Sequence, residues 1–148
     1  MSPEEMSDRL EIQDLFARYS FAIDDRDWDA LDDVFTADAV IDYTAAGGVR
    51  GTVQQIKKWL AQVMERFSAY QHMVATTQLK LAGDSATSRT ILFNPMVIEQ
   101  NGTKQVFFIG LWYRDKLVRT AQGWRIQERI EQFSYAHNAP DMPPVPQL

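Results

Sequence analysis

The chain has 148 residues, 45% of them hydrophobic and 11% aromatic, with a net charge of −5 and no cysteine. That length suits one domain, which buries roughly two thirds of its unfolded surface without staples. The acidic balance argues against a nucleic-acid partner, because phosphate binding needs clustered positive charge. The lack of cysteine removes disulfides, thiolate catalysis and zinc–thiolate centres together.

The basic residues Lys57, Lys58, Arg114, Lys116 and Arg119 read as solvated helix and strand-turn positions. The opening "MSPEEMSDRLE" is too acidic and polar for a secretory signal. No apolar run approaches the ~20 residues of a membrane span. The expectation is a soluble, cytoplasmic protein.

Ser2-Pro3-Glu4-Glu5 marks a helix start, with Ser2 as N-cap, Pro3 in the first turn and Glu5 closing a capping box. Apolar residues follow at Ile12, Leu15, Phe16, Tyr19, Ala22 and Ile23, a single helical stripe. It ends at Asp24-Asp25-Arg26, and Asp27 caps a short second helix that turns Trp28, Leu31, Val34 and Phe35 inward. "AVIDY" at 39–43 reads as a strand closed by "TAAGG". Residues 51–67 form the third helix, apolar at Ile56, Trp59, Leu60, Val63, Met64 and Phe67. Its wet face is Gln54, Gln55, Lys57, Lys58 and Gln62.

Strands occupy the rest. Residues 70–81 turn through "AGDS" into 86–98, and "QNGT" leads to 104–120, which returns through "TAQG" into 123–137. The domain spans 1–136, followed by an irregular proline-rich tail at 137–148. Helices first and strands last indicate an α+β fold. The expected form is a cone-shaped half-barrel: a strongly curved, mostly antiparallel sheet with three N-terminal helices enclosing a hydrophobic pocket. Gly110 inside a long strand marks a bend or bulge.

Imidazole is the side chain suited to proton transfer near neutral pH, and there are two histidines, His72 and His137. Alternation puts His72, Val74 and Thr76 on one sheet face and Met73, Ala75 and Thr77 on the other, leaving open which face meets the helices. His137, beside the tail, belongs to the surface or rim. In the acidic cluster, Asp24 continues the inward stripe, Asp25 and Arg26 fall off it, and Asp27 serves as a cap. A buried Asp24 needs a partner, and His72 is one: the carboxylate would fix the imidazole tautomer and raise its basicity.

Neither metal nor cofactor is expected. A calcium loop over 24–33 lacks its glycine and terminal glutamate. One pocket histidine does not make a zinc site, and there is no phosphate-cradling loop or nucleophile elbow.

The element order, with "FARYSFAIDDRDWDALDDVFTADAVIDY", "YQHMV" and "LAGDSATSRT", resembles the SnoaL-like branch of the nuclear-transport-factor-2-like superfamily over residues 8 to about 136. Within it the pattern is similar to scytalone dehydratase and lindane dehydrochlorinase. That resemblance implies an Asp24–His72 pair and a Tyr43 placed over a substrate carbonyl. The dehydratase's second histidine is absent, its stretch offering Asn94 and Met96, and its serine and asparagine give way to residues around Phe107 and Ile109. A more distant resemblance to ketosteroid isomerase matches Tyr19 and an aspartate base at Asp42, with only Ile109 or Gly110 where an oxyanion-hole acid belongs. Asp42 and Tyr43 alternate faces, so the two resemblances make opposite claims about this strand.

Three functions follow as expectations. The first is a cofactor-free lyase of dehydratase type acting on a small apolar cyclic molecule through His72, Asp24 and Tyr43. Its substrate-binding residues would be Tyr19, Trp28, Asp42 and Trp59, together with Asn94, Met96 and Trp112. The second is an isomerase or cyclase on a steroid or polyketide-like ligand. The third is a binding module in which the aromatic residues, Phe93 included, are only core. Residues 107–113 are apolar on both strand faces, so the convex side should be covered, most economically by a second copy in a homodimer.

Overall fold

The computed structural model describes all of residues 1–148. Helix α1 (Pro3–Asp24) begins with the capping box read from the sequence, Ser2 accepting from the Glu5 amide and Glu5 from that of Ser2. A 3₁₀ helix (Trp28–Asp33) is capped by the Asp27 side chain, which accepts from the Ala30 amide. Strand β1 (Phe35–Asp42) and the short β2 (Arg50–Thr52) precede α2 (Val53–Val63). Five strands follow: β3 (Phe67–Tyr70), β4 (Met73–Ala82), β5 (Ser85–Gln100), β6 (Thr103–Thr120) and β7 (Gly123–His137). No helix is long and apolar enough to cross a membrane.

The sheet runs β2-β1-β7-β6-β5-β3, with β4 also paired to β5. All its pairings are antiparallel except β1 with β7. The sheet is therefore mixed and open, curling around the helices as an α+β cone. Even residues of β5, such as Leu92, Met96 and Ile98, face the core, as do odd residues of β6 such as Phe107, Leu111 and Tyr113. Against them pack Ile12, Leu15, Phe16, Tyr19 and Ile23 of α1 and Ile56, Trp59, Leu60 and Val63 of α2. Full burial of one such aliphatic side chain contributes about 1.5–3 kcal/mol, so the two apolar stripes hold the helices to the sheet.

Three local departures from strict periodicity shape the cone. The β6–β7 ladder shifts register at Gly110, where the Tyr135 ring lies so close that a Cβ would collide with it. The expected single strand over 70–81 is broken: Gln71 and His72 stand outside the ladder, opposite Pro95 of β5. Proline has no N–H to donate, so pairing lapses there. A bulge at Thr76 (φ 36°) then reverses the alternation, so that Val74 but also Leu79 and Leu81 pack on the core.

The third helix also differs from expectation. Its α-helical part stops at Val63 and a 3₁₀ turn (Met64–Arg66) leads into β3. Lys57, placed on its wet face by the sequence, is buried, its ammonium 2.8 Å from both Asp29 and Asp32. It ties α2 to the 3₁₀ helix.

Candidate active site

The "DDRD" stretch resolves into four separate jobs. Asp24 is the last residue of α1 and points toward the sheet, and Asp25 is the exposed C-cap. Arg26 takes a left-handed conformation (φ 57°) that ends the helix. Far from idle, its guanidinium donates to Tyr70 Oη at 3.0 Å and to the Met64 and Phe67 carbonyls at 3.3 and 3.1 Å. These bonds lash the end of α1 to the start of the sheet and hold Asp24 in place.

Because His72 has left the ladder, its backbone N–H has no strand partner, and the Asp24 carboxylate takes it at 3.0 and 3.1 Å. The same carboxylate lies 2.8 Å from His72 Nδ1. An ionised carboxylate only accepts, so Nδ1 carries the proton, and in the neutral imidazole the lone pair is on Nε2. Nε2 is 3.4 Å from the Asn94 amide nitrogen, a long contact, while Asn94 Oδ1 is buried without a partner. The His72 side chain is 8% exposed and that of Asp24 22%.

His72 lines a cavity of about 170 Å³ between helices and sheet. Most of its wall is apolar: Ile23, Leu60, Val63, Met64, Phe67, Phe107 and Ile109 contribute, with Met96 and Trp59. Away from His72 the wall carries three phenols. Tyr19 Oη lies 2.6 Å from Tyr43 Oη and 3.4 Å from Tyr113 Oη. Burial pushes the Tyr43 and Tyr113 phenols well up and Tyr19 up as well, so all three remain protonated donors. Glu131 of β7 completes this side.

Behind the phenols, fully buried Arg129 and Asp115 form a two-pronged pair at 2.8 and 2.7 Å. The guanidinium stacks 4.1 Å from the Tyr19 ring centre and 4.0 Å from that of Tyr113. Beyond His137 the tail has no helix or strand, yet it is not loose. Trp59 Nε1 donates to the Pro146 carbonyl at 2.8 Å, and Arg66 donates to the carbonyls of Pro143 and Pro144 at 2.9 and 2.7 Å. Met142 and Val145 thereby become cavity wall.

Of the residues singled out in the sequence, the structure brings His72, Tyr19, Tyr43, Trp59, Asn94 and Met96 to this cavity, with Asp24 directly behind His72. Three are elsewhere. Trp28 packs half-buried against the core without reaching the cavity. Trp112 lies on the convex face under Arg89, 4.2 Å from its guanidinium carbon. Asp42 turns away and accepts from the Thr44 amide and hydroxyl at 3.0 and 2.6 Å. Between Asp42 and Tyr43, Tyr43 faces the cone, as the alternation from buried Ala39 and Ile41 requires. His137 ends β7 on the surface, stacked on Phe108.

Glu131, Tyr113 and the tail residues escaped the sequence reading. Trp124 and Ile126 point inward, and strict alternation would send Glu131 outward. A register shift beside Lys116, between Glu128 and Ile126, reverses the parity and turns Arg129 and Glu131 in.

Fold and site together define a cone-fold protein with a small, largely apolar chamber and a carboxylate–imidazole pair at its wall. Residues 4–130 match the SnoaL-like domain, and the chain belongs to that family. It is 53% identical over 131 residues to the uncharacterized protein Rv2910c of Mycobacterium tuberculosis, covering 88% of each chain. Among solved structures it resembles a Novosphingobium aromaticivorans protein provisionally described as a scytalone dehydratase. That match has a TM-score of 0.82 at 16% identity, covering 99% of this chain and 97% of the other. Another is the hexachlorocyclohexane dehydrochlorinase LinA-type3 of Novosphingobium barchaimii, with a TM-score of 0.78 at 17% identity and 97% of both chains covered. At those identities the two structures attest to the fold alone.

Proposed function

We propose that the protein is a cofactor-free lyase that eliminates water or a comparable leaving group from a small, apolar, cyclic substrate. The observation that carries this reading is the Asp24–His72 contact at 2.8 Å, which turns Nε2 toward Asn94 at the wall of a largely apolar cavity. In the proposed step Nε2 takes a proton from a carbon next to an activating group. The C–H electron pair becomes the second bond of a carbon–carbon double bond. The leaving group departs with its bonding pair and receives the proton back from the imidazolium. Asp24 steadies the cation that forms between these events, and Tyr43, with Tyr19, donates to the oxygen on which negative charge develops. A positioned base supplies roughly 10²–10⁴-fold. Further acceleration would come from excluding water around fixed donors.

Dehydrochlorinase structures with the same fold support an elimination by analogy. An isomerase using Asp42 as its base loses support, since that carboxylate is engaged by Thr44 outside the cavity. Cavity size bears on the substrate as well. An apolar cavity of roughly 150 Å³ accommodates one benzene, so a volume of about 170 Å³ favours a single ring over a steroid.

A suitable probe is 3-hydroxycyclohexanone, whose loss of water to cyclohex-2-enone is followed by ultraviolet absorbance. Turnover is expected with the wild-type protein and only the uncatalysed rate with His72→Ala. Equal rates in the two would remove the base assignment, and recovery of bound ring compounds chemically unaltered would favour a binding module.

A further inference from the structure

The elimination proposed above needs one polar end, His72. The cavity has another. Glu131 lines its far side, and its Oε2 is buried without any hydrogen-bond partner. Glu131 sits opposite Tyr113 on β6, whereas Asn94, beside His72, sits opposite Ile109. The two stations are therefore two strands and four residues apart, roughly 10 Å across the sheet and 13 Å along it. The curl of the cone brings their side chains around one chamber.

The surroundings of Glu131 decide which protonation state faces that chamber. Burial pushes its carboxyl up to about 8, Arg129 pulls it down, the Asp42 charge pushes it up and the Ala46 amide pulls it down. Tyr19, Tyr43 and Tyr113 face it from α1, the exit of β1 and β6. At neutral pH the group is predominantly a carboxylic acid, and a buried acid O–H without an acceptor is costly. The phenols do not supply that acceptor cheaply. They carry three protons among themselves and make only two mutual contacts, so at least one phenol proton is also left over. This end of the cavity has a surplus of donors.

We infer that Glu131 is a ligand-binding residue that presents a carboxylic-acid O–H, beside the phenol cluster, to the carbonyl oxygen of a single-ring ketone or enone whose other end faces His72. The orientation and the ring size rest on the lyase reading of the same cavity. A ligand carbonyl would accept the unpaired protons, fill the apolar waist, and place the carbon acidified by that carbonyl toward the imidazole. Glu131 thereby sets substrate class: oxygenated rings are accepted, and hydrocarbon rings of the same shape leave the donors unpaired.

The experiment compares cyclohex-2-enone and methylenecyclohexane, titrated against tryptophan fluorescence, in wild type, Glu131→Gln, Glu131→Met and His72→Ala. The preference for the enone is expected to fall about tenfold in Glu131→Met, to survive in Glu131→Gln, which still donates, and to be unchanged in His72→Ala. The carbonyl stretch of bound enone, read by infrared difference spectroscopy, should lie lower in wild type than in Glu131→Met. Glu131→Met removes an unpartnered oxygen and should fold; Glu131→Leu, which likewise has no donor, gives the same infrared comparison with wild type if it does not. An undiminished preference in Glu131→Met, an unshifted carbonyl stretch in wild type, or no saturable enone binding would overturn the inference. Failure of the lyase reading looks different: His72→Ala would turn over normally while Glu131→Met still lost its preference.

Discussion

Asp24 holds His72 twice, through the backbone N–H at 3.0 Å and through Nδ1 at 2.8 Å. One carboxylate thus fixes both the backbone of a residue that has left the sheet and the ring nitrogen that carries the proton. In Asp24→Asn the amide cannot accept in the same way with both atoms, and Nδ1 loses its fixed role. Elimination is expected to fall by roughly 10²–10⁴-fold, and Asp24→Asn combined with His72→Ala should be no slower than His72→Ala alone. Imidazole ¹⁵N shifts should report a single Nδ1–H tautomer in wild type and a mixture in Asp24→Asn. Additive rate losses would contradict the pairing.

Arg129 and Asp115 are both fully buried. Removing one partner strands the other charge in the core, so Asp115→Ala should cost about 3–5 kcal/mol, with the phenols that rest on Arg129 losing their order. Replacing both, as Asp115→Leu with Arg129→Met, should be less damaging than the single change. Urea unfolding midpoints of the three variants check this ranking.

Stability should also respond to pH at Glu131. Its carboxyl is pushed up to about 8 from 4.5, so between those values the native state holds a proton that the unfolded chain has released. Stability from this group therefore declines as pH rises through that window. Asp8 works in the opposite sense. Hydrogen bonds from Arg119 and Trp124 hold its carboxyl below the ordinary 3.8, so its contribution is present above that value and is lost as pH falls toward the folded value. Glu131→Gln should flatten the fall between pH 5 and 8 and leave the acid limb unchanged. A denaturation series across pH tests both limbs.

Truncation after Asn138 would remove Met142 and Val145 from the cavity wall and the Pro146 acceptor from Trp59. Expected consequences are a red-shifted tryptophan emission and binding of two-ring ketones that the intact chain excludes. Arg66→Ala, which releases the Pro143 and Pro144 carbonyls, should move both readouts the same way by less. A truncated protein with unaltered size preference would show that the tail does not bound the site.

The convex face carries Met73, Ile91 and Tyr135 at 53%, 40% and 49% exposure. Phe93 and Phe108 lie between them, with ring centres 5.1 Å apart. We propose that a second copy covers this face in a two-fold dimer. Sedimentation should give a dimer for wild type and a monomer for Ile91→Lys combined with Tyr135→Lys. A monomeric wild type would refute the arrangement.

What could be read directly from the chain is whatever depends on neighbours within a turn or a strand. The Ser2 and Asp27 caps, the apolar stripe from Ile12 to Ile23, and the turns at Asn101-Gly102 and Gly123 all follow from local sterics and period. A buried Asp24 asks for a partner and His72 offers one, and the resemblance of "FARYSFAIDDRDWDALDDVFTADAVIDY" and "YQHMV" to a known family points to the same pair, although no local rule joins them.

Tertiary structure decided the rest, because a single ladder irregularity changes the facing of every residue beyond it. Pro95 on β5 expels His72 from its strand, the bulge at Thr76 returns Leu79 to the core, and the shift near Lys116 turns Arg129 and Glu131 inward. The landing site of the tail on Trp59 and Arg66, the retreat of Asp42, and the burial of Lys57 between Asp29 and Asp32 likewise join residues far apart in the chain. Composition and period specify which side chains prefer to leave water. Only the closed cone specifies which polar groups are carried in with them, and those are the groups available for chemistry.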